Sequence, residues 1–346
     1  MRKLILLILL LMLFVAPVNA QEYTAPEAPD EALGLIPVER TTFGQDLWTV
    51  VKGAVTKLQP DLAAAAKICV ALVSITMAIS LVNTMPGKTG KVVQLVGVIA
   101  VASLLLQQTG SMIRTGVDTV SSLSEYGKLL LPVMTAALAA QGGITSSSAL
   151  YASTTVFNTV LTAGISAILI PLIYCFLALS VASCATAQEI LGKLSGYLKW
   201  LCTWLLKMTL YIFTGFIGIT GVISGTADAT ALKATKLTMS GMIPVVGGIL
   251  SEASEAVLVG ASVMKNAAGT YGLIAVIAIW VAPFLQIGIR YLLLKLTAAL
   301  CEVFGVKQVS ALIGAFSDAM GLLLGMTSAI CVILVISLTC FLKGVG

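Results

Sequence analysis

Long apolar runs fill the chain from residue 68 onward, and they set the first expectation about its fold. Six of these runs are long enough to cross the roughly 30 Å hydrocarbon core of a bilayer as helices. The pattern therefore predicts an all-α polytopic membrane protein. The predicted spans are residues 68–85, 92–109, 156–184, 200–223, 271–294 and 320–342.

Two connections, residues 110–155 and 225–270, are too apolar for exposed loops and are interrupted before they could span. Irregular backbone at membrane depth is tolerated only where protein buries it or where it lines a cavity. We therefore predict two Pro- and Gly-broken hairpins that pack together at the outer face as assembly surfaces or pore lining. The residues at the two breaks are Pro132, Gly142, Gly143, Pro244, Val245, Val246, Gly247 and Gly248.

Several landmarks recur after 112 or 113 residues, which indicates an internal duplication. The matching pairs are Pro132 with Pro244, Pro171 with Pro283, and Glu189 with Glu302. Residues 112–224 and 225–346 are accordingly predicted to be parallel copies of one unit, related by an axis along the membrane normal. Pro171 and Pro283 are expected to kink their spans. Chance matching of a few prolines is the alternative.

Glycines recur along one face of the fourth predicted span. They are Gly215, Gly218, Gly221 and Gly225. Steps of three and four residues return to the same side of a helix, so this face allows close approach of another backbone. The approach can come from within the chain or from another subunit.

The N-terminus has the layout of a secretory signal peptide. Residues 1–20 begin with Arg2 and Lys3, continue with an apolar run, and end in small residues. Cleavage is expected after Ala20, with an uncleaved anchor as the alternative. Residues 21–66 are then a partly disordered extracytoplasmic tail that ends in an amphipathic helix on the membrane surface. Residues 67–111 form a transmembrane hairpin.

Charge and composition argue against an enzyme. The chain has 20 basic and 15 acidic residues, scattered without a basic run, so we predict no nucleic-acid binding. It has no histidine, and its seven cysteines lie in apolar segments. We find no catalytic motif and predict no metal site and no cofactor. Lys207, Arg290 and Lys295 are expected to snorkel from span ends to the membrane surface.

The stretch TADATALKATKLTMSGMIPVVGGILSEASEAVLVGASVMKNAAGTYGL, residues 226–273, resembles the stage III sporulation protein AE family of endospore-forming Firmicutes. The resemblance implies a multi-pass component of the assembly that connects mother cell and forespore, residing in the mother-cell membrane around the forespore. Its implied partners are the other subunits of that complex in the membrane and intermembrane space, with a homo-oligomer as a further possibility.

Three functions follow in order of support. The first is a platform or pore subunit of this channel or secretion-like complex. A stand-alone solute permease is the second, because parallel repeats with broken segments also build carriers. An intramembrane enzyme comes last, since no constellation of residues supports it.

Overall fold

The computed structural model describes residues 26–37, 42–83, 89–242 and 246–343, and these residues form helices and short turns. A π-helical turn spans Ile165–Leu169. The helices are α1 (Asp30–Leu33), α2 (Phe43–Lys57), α3 (Gln59–Asn83), α4 (Thr89–Ala140), α5 (Ile144–Gly164), α6 (Ile170–Thr186), α7 (Glu189–Met242), α8 (Val246–Val303) and α9 (Lys307–Lys343). Within this part of the chain, six helical segments are long and apolar enough to cross a membrane, which confirms the predicted fold class.

Three helices are much longer than a bilayer is thick. α4 has 52 residues, α7 has 54 and α8 has 58. At about 1.5 Å per residue they are roughly 80 to 90 Å long. Transmembrane helices tilt by at most about 40°, so a hydrocarbon core of about 30 Å encloses only half of such a helix. Part of the bundle therefore stands outside the hydrocarbon core.

α9 is the central helix of the bundle and packs against α4, α5, α6, α7 and α8. In its most apolar window 61% of the residues are buried within the protein, whereas the value for α3 is 22%. The apolar character of α9 is thus largely that of a protein core. The exposed apolar residues of α3 suit contact with lipid.

Hydrogen bonds between helices define their directions. Ser310 Oγ donates to the carbonyl of Ala298 at 2.9 Å, and Ser317 Oγ donates to the carbonyl of Tyr291 at 3.0 Å. α8 and α9 are therefore antiparallel, because the residue numbers rise along α9 as those of its partners on α8 fall.

α3 instead runs parallel to α8. Thr76 Oγ1 donates to Cys301 Sγ at 3.2 Å, and Ser80 Oγ donates to the carbonyl of Phe304 at 2.8 Å. The two helices are far apart in sequence, so this pairing is a long-range feature of the fold. It aligns the whole of α3 with the C-terminal part of α8.

The N-terminal tail packs on the bundle. α2 lies mainly against α8 and buries Val50 and Ala54, and the preceding segment buries Ala28 and Ala32. The predicted amphipathic helix is present and contacts α8, and its predicted place on the membrane surface stays a prediction. α2 also leaves large apolar side chains exposed, namely Phe43, Trp48 and Val55. The predicted signal peptide lies outside the described residues.

The first predicted outer hairpin is formed by α4 and α5, but Pro132 does not break it. α4 continues through Pro132 to Ala140, and the chain turns at residues 141–143. A proline inside a helix removes one hydrogen bond. Burial of Leu130, Leu131 and Met134 on the same segment offsets that loss, so the helix persists. Pro244 and Val245, in the second predicted hairpin, lie outside the described residues.

The landmarks of the predicted duplication do not all fall at equivalent places. Glu189 is the first residue of α7, after a turn, whereas Glu302 lies in the last turn of α8, before one. A π-helical turn ends at Leu169, two residues before Pro171, while Pro283 lies inside the continuous helix α8. The duplication and the two kinks stay predictions.

Candidate functional site

Two partly buried polar pairs lie one helical turn apart where α3, α4 and α8 touch. Arg290 Nη1 donates to Gln108 Oε1 at 2.6 Å. Gln286 Nε2 donates to Asp61 Oδ2 at 3.1 Å. We call these four residues the polar cluster. It contains one charge of each sign, and the Asp61 carboxylate also acts electrostatically on Arg290.

The helix pairings explain why these residues meet. Gln286 and Arg290 are four residues apart on α8, so they lie on one face. The parallel pairing of α3 brings Asp61 beside Gln286, and α4 brings Gln108 beside Arg290. Ionisable residues within apolar segments are costly and are retained where they pair or serve a function. The cluster thus ties three helices together at one level.

The structure changes the interpretation of Arg290. Snorkelling was expected, but its guanidinium is half-buried and directed at Gln108, and its Nε is buried without a partner among the described residues. An unpaired guanidinium N–H in an apolar setting is unfavourable. Arg290 is therefore a residue of the bundle interior that retains hydrogen-bonding capacity.

A cavity of about 240 Å³, which we call the vestibule, lies on one side of the polar cluster. The tail contributes Pro29 and Ala32 to its wall, and α8 contributes Ile279 and Pro283. Because Pro283 has no N–H, the carbonyl of Ile279 lacks its usual helical hydrogen bond. The polar side chains of the vestibule are those of Lys57, Asp61, Thr115, Ser122 and Gln286.

A second cavity, of about 30 Å³, lies on the other side of the cluster and is lined by Gln108, Arg290, Thr109 and apolar residues. It has room for about one water molecule. Asp61 and Gln286 line only the vestibule, whereas Gln108 and Arg290 line only the small cavity. The two pairs of the polar cluster therefore each border a different cavity.

The family of the chain is shown by comparison with known proteins. The model of the family "Stage III sporulation protein AE" matches residues 38–344. The chain belongs to this family. Stage III sporulation protein AE of Bacillus subtilis (strain 168) is 25% identical over 224 residues. That match covers 64% of this chain and 56% of the relative, so it spans little more than half of the relative's length. No solved structure matches the chain.

Membership of the stage III sporulation protein AE family supports a role in sporulation. The segment that carried the resemblance, residues 226–273, forms the end of α7 and the beginning of α8. Val246, Gly247 and Gly248 are the first residues of α8, and their surroundings lie outside the described part of the chain. Their predicted role in assembly stays a prediction.

In this family member the predicted break residues Gly142 and Gly143 lie in the turn between α4 and α5. Gly142 has a φ of 91°, in the left-handed region that favours glycine. The Gly143 N–H donates to the carbonyl of Leu138 at 3.1 Å and so caps α4. Pro132 is exposed on α4. None of these residues lines either cavity beside the polar cluster.

The glycine face of α7 has no close neighbour where it is described. A Cβ added at Gly215 or Gly218 would meet no described atom within 4 Å. Gly221 and Gly225 belong to α7, but their surroundings are outside the described residues. Close packing occurs instead on α8, where a Cβ at Gly272 would come 2.5 Å from Leu130 Cδ2.

Sequence reasoning missed three of the four residues in the polar cluster. The sequence places Asp61 in the exterior tail, because the first predicted span begins at residue 68. It places Gln108 at the end of the second predicted span, 92–109. One local pattern does indicate a polar site: Gln286 and Arg290 lie four residues apart in an apolar run of α8. Their partners depend on long-range pairing that no local pattern encodes.

Proposed function

We propose that this protein is a multi-pass membrane subunit of the channel or secretion-like complex between mother cell and forespore. It would reside in the mother-cell membrane around the forespore and serve as a platform or pore component. Membership of the stage III sporulation protein AE family supports this placement. The other subunits of the complex, in the membrane and in the intermembrane space, are the proposed partners.

The length of the helices is the observation that supports the platform role. α4, α7 and α8 are each about twice as long as a bilayer crossing requires. A lone carrier needs no such extension. The part of the bundle outside the hydrocarbon core offers a rigid helical surface on which ring subunits can assemble. The turn at Gly142 and Gly143 and the residues around Pro244 to Gly248 are the proposed contact points.

The vestibule favours a second function, that of a solute permease. Its polar wall and the polar cluster beside it are features that carriers use for binding. A permease would work alone, whereas a platform subunit requires its partners. Reconstitution separates the two. Purified protein in vesicles should show no solute flux as a platform and should show flux as a permease.

Assembly can be tested with a matched pair of exposed isoleucines. Ile144 begins α5 beside the Gly142–Gly143 turn and is 68% exposed, while Ile190 in the first turn of α7 is 78% exposed. Ile144→Asp should strongly reduce co-purification of ring subunits from sporulating cells. Ile190→Asp should leave it unchanged. A charge at Val245 or Val246 should act like Ile144→Asp.

Both isoleucine variants should reach wild-type levels in the membrane. Normal co-purification of the ring subunits with Ile144→Asp would contradict assembly at this turn. Flux through vesicles containing the purified protein alone would instead favour the permease.

A further inference from the structure

Two lysines from different helices converge on one carboxylate at the surface of the bundle. Lys199 Nζ of α7 lies 2.8 Å from Asp318 Oδ2 of α9, and Lys295 Nζ of α8 lies 3.6 Å from Asp318 Oδ1. Each lysine therefore takes a different oxygen of the same carboxylate. Two ammonium groups and one carboxylate leave a net charge of +1 at this point.

Close helix packing builds this arrangement. Glycines on α9 let the neighbouring helices approach, since a Cβ at Gly321 would lie 3.3 Å from the ring of Tyr291 and one at Gly325 would lie 3.4 Å from Leu206 Cδ1. Tyr291 belongs to α8 and Leu206 to α7, the helices that carry the two lysines. The lysines are thus held in place by packing as well as by Asp318.

Both lysines keep access to the outside. Their side chains are 43% exposed for Lys199 and 56% for Lys295, whereas Asp318 behind them is 24% exposed. An ammonium has three N–H donors, and one contact to Asp318 uses only part of that capacity. Asp318 orients the two ammonium groups without neutralising both, which leaves them able to bind an anion.

The charged residues of the site adjoin long apolar segments of α9 and α7. Asp318 directly precedes residues 319–342, which contain no charged side chain, a length of about 36 Å in a helix. Lys199 is followed by the stacked rings of Trp200 and Trp204, and both indoles are exposed. Tryptophans mark the interface between lipid tails and headgroups.

The surface around the lysines is apolar. On α8, Leu292 and Leu296 flank Lys295 on the same face and are exposed. Acyl chains could cover these leucines and Trp200 while a phosphate group contacts the lysines. Basic pockets between transmembrane helices at the membrane surface are typical sites for anionic lipid headgroups.

We propose that Lys199 and Lys295, positioned by Asp318, bind the phosphate of an anionic phospholipid. The site is distinct from the polar cluster and the vestibule, and it does not depend on the proposed channel function. The bound lipid would join α7 and α8 across α9 and fix the bundle at one depth in the membrane.

The test uses full-length protein purified in detergent. Phosphatidylglycerol and phosphatidylcholine with identical acyl chains are titrated, and bound lipid is counted by native mass spectrometry. The wild type should bind phosphatidylglycerol more tightly than phosphatidylcholine. Lys295→Gln should weaken phosphatidylglycerol binding about fivefold, since one lysine near a lipid surface contributes about 1 kcal/mol. The Lys199→Gln, Lys295→Gln double variant should not discriminate between the two lipids.

Lys207→Gln is the matched control, because Lys207 is an exposed lysine on the same α7 helix. It should keep the wild-type preference. Equal binding of both lipids by the wild type would overturn the proposal, as would an equal loss in Lys207→Gln. If inorganic phosphate alone displaces phosphatidylglycerol from the wild type at equal concentration, the site is one for a free anion and the lipid assignment is wrong. Lys295→Gln leaves the 2.8 Å pair of Lys199 with Asp318 in place, so it tests the site in a folded protein.

Discussion

Arg290 of α8 donates a 2.6 Å hydrogen bond to Gln108 of α4 across the interior of the bundle. Hydrogen bonds from charged groups contribute about 1.5 to 3 kcal/mol to stability. We therefore expect Arg290→Ala to lower the free energy of unfolding by about that amount. Equilibrium unfolding of the purified protein in mixed detergent micelles measures the change.

Lys207→Ala serves as the control for Arg290→Ala, because an exposed substitution away from such contacts changes stability by no more than about 0.5 kcal/mol. A double-mutant cycle with Gln108→Ala should give a coupling energy of about 0.6 to 1.7 kcal/mol, as for other hydrogen bonds within membranes. Additive effects of the two substitutions would show that the pair contributes nothing as a unit.

Pro132 lies in an uninterrupted and exposed part of α4. Pro132→Ala restores one backbone N–H and removes a ring that conflicts with the preceding turn, so we expect the free energy of unfolding to rise by about 1 to 3 kcal/mol. The same unfolding experiment measures it. A loss of stability would mean that the bundle depends on a distortion at Pro132.

Gly272 and Gly218 form a matched pair, since both are helical and only the first has a close neighbour. A Cβ at Gly272 would come 2.5 Å from Leu130 Cδ2, and Leu130 is fully buried. Both alanine variants gain the same helix propensity. We expect Gly272→Ala to be less stable than Gly218→Ala by about 1 to 3 kcal/mol, because Leu130 must move. Equal stability would contradict this close packing of α4 and α8.

The parallel pairing of α3 and α8 is open to a cross-linking test. Thr76 Oγ1 lies 3.2 Å from Cys301 Sγ. In a variant whose other six native cysteines are replaced by serine, Thr76→Cys should form a disulfide with Cys301 under mild oxidation, because little movement brings the two sulfurs to about 2 Å. The bond is detected by a mobility shift that reductant reverses.

Leu81→Cys in the same background is the control for the cross-link, since this residue is exposed on α3. It should give no disulfide with Cys301. Cross-linking of both variants with equal yield would indicate a mobile α3 and would contradict the register.

The sequence predicted the helices well because apolar runs have the same appearance in lipid and in a protein core. The same ambiguity limits the prediction, because the sequence predicts α3 and α9 alike as spans. In the structure α3 faces outward and α9 is enclosed. Pro132 is a local signal for a helix break, but the helix continues through it. Burial of Leu130 and Met134 stabilises the helix there, and that burial depends on tertiary packing. Asp61 and Gln286 meet only because α3 and α8 pair, and their spacing of 225 residues carries no periodic pattern.

The pairing of α3 with α8 has a consequence for biosynthesis. A ribosome completes α3 long before it makes α8, because Thr76 precedes its partner Cys301 by 225 residues. During that interval the nascent α2 and α3 lack α8, the helix against which each of them packs most extensively. Lipid or an insertion factor must shelter them until translation is nearly finished. α2 and α3 therefore reach their final packing late, and the helices of the bundle cannot assemble in the order in which they are translated.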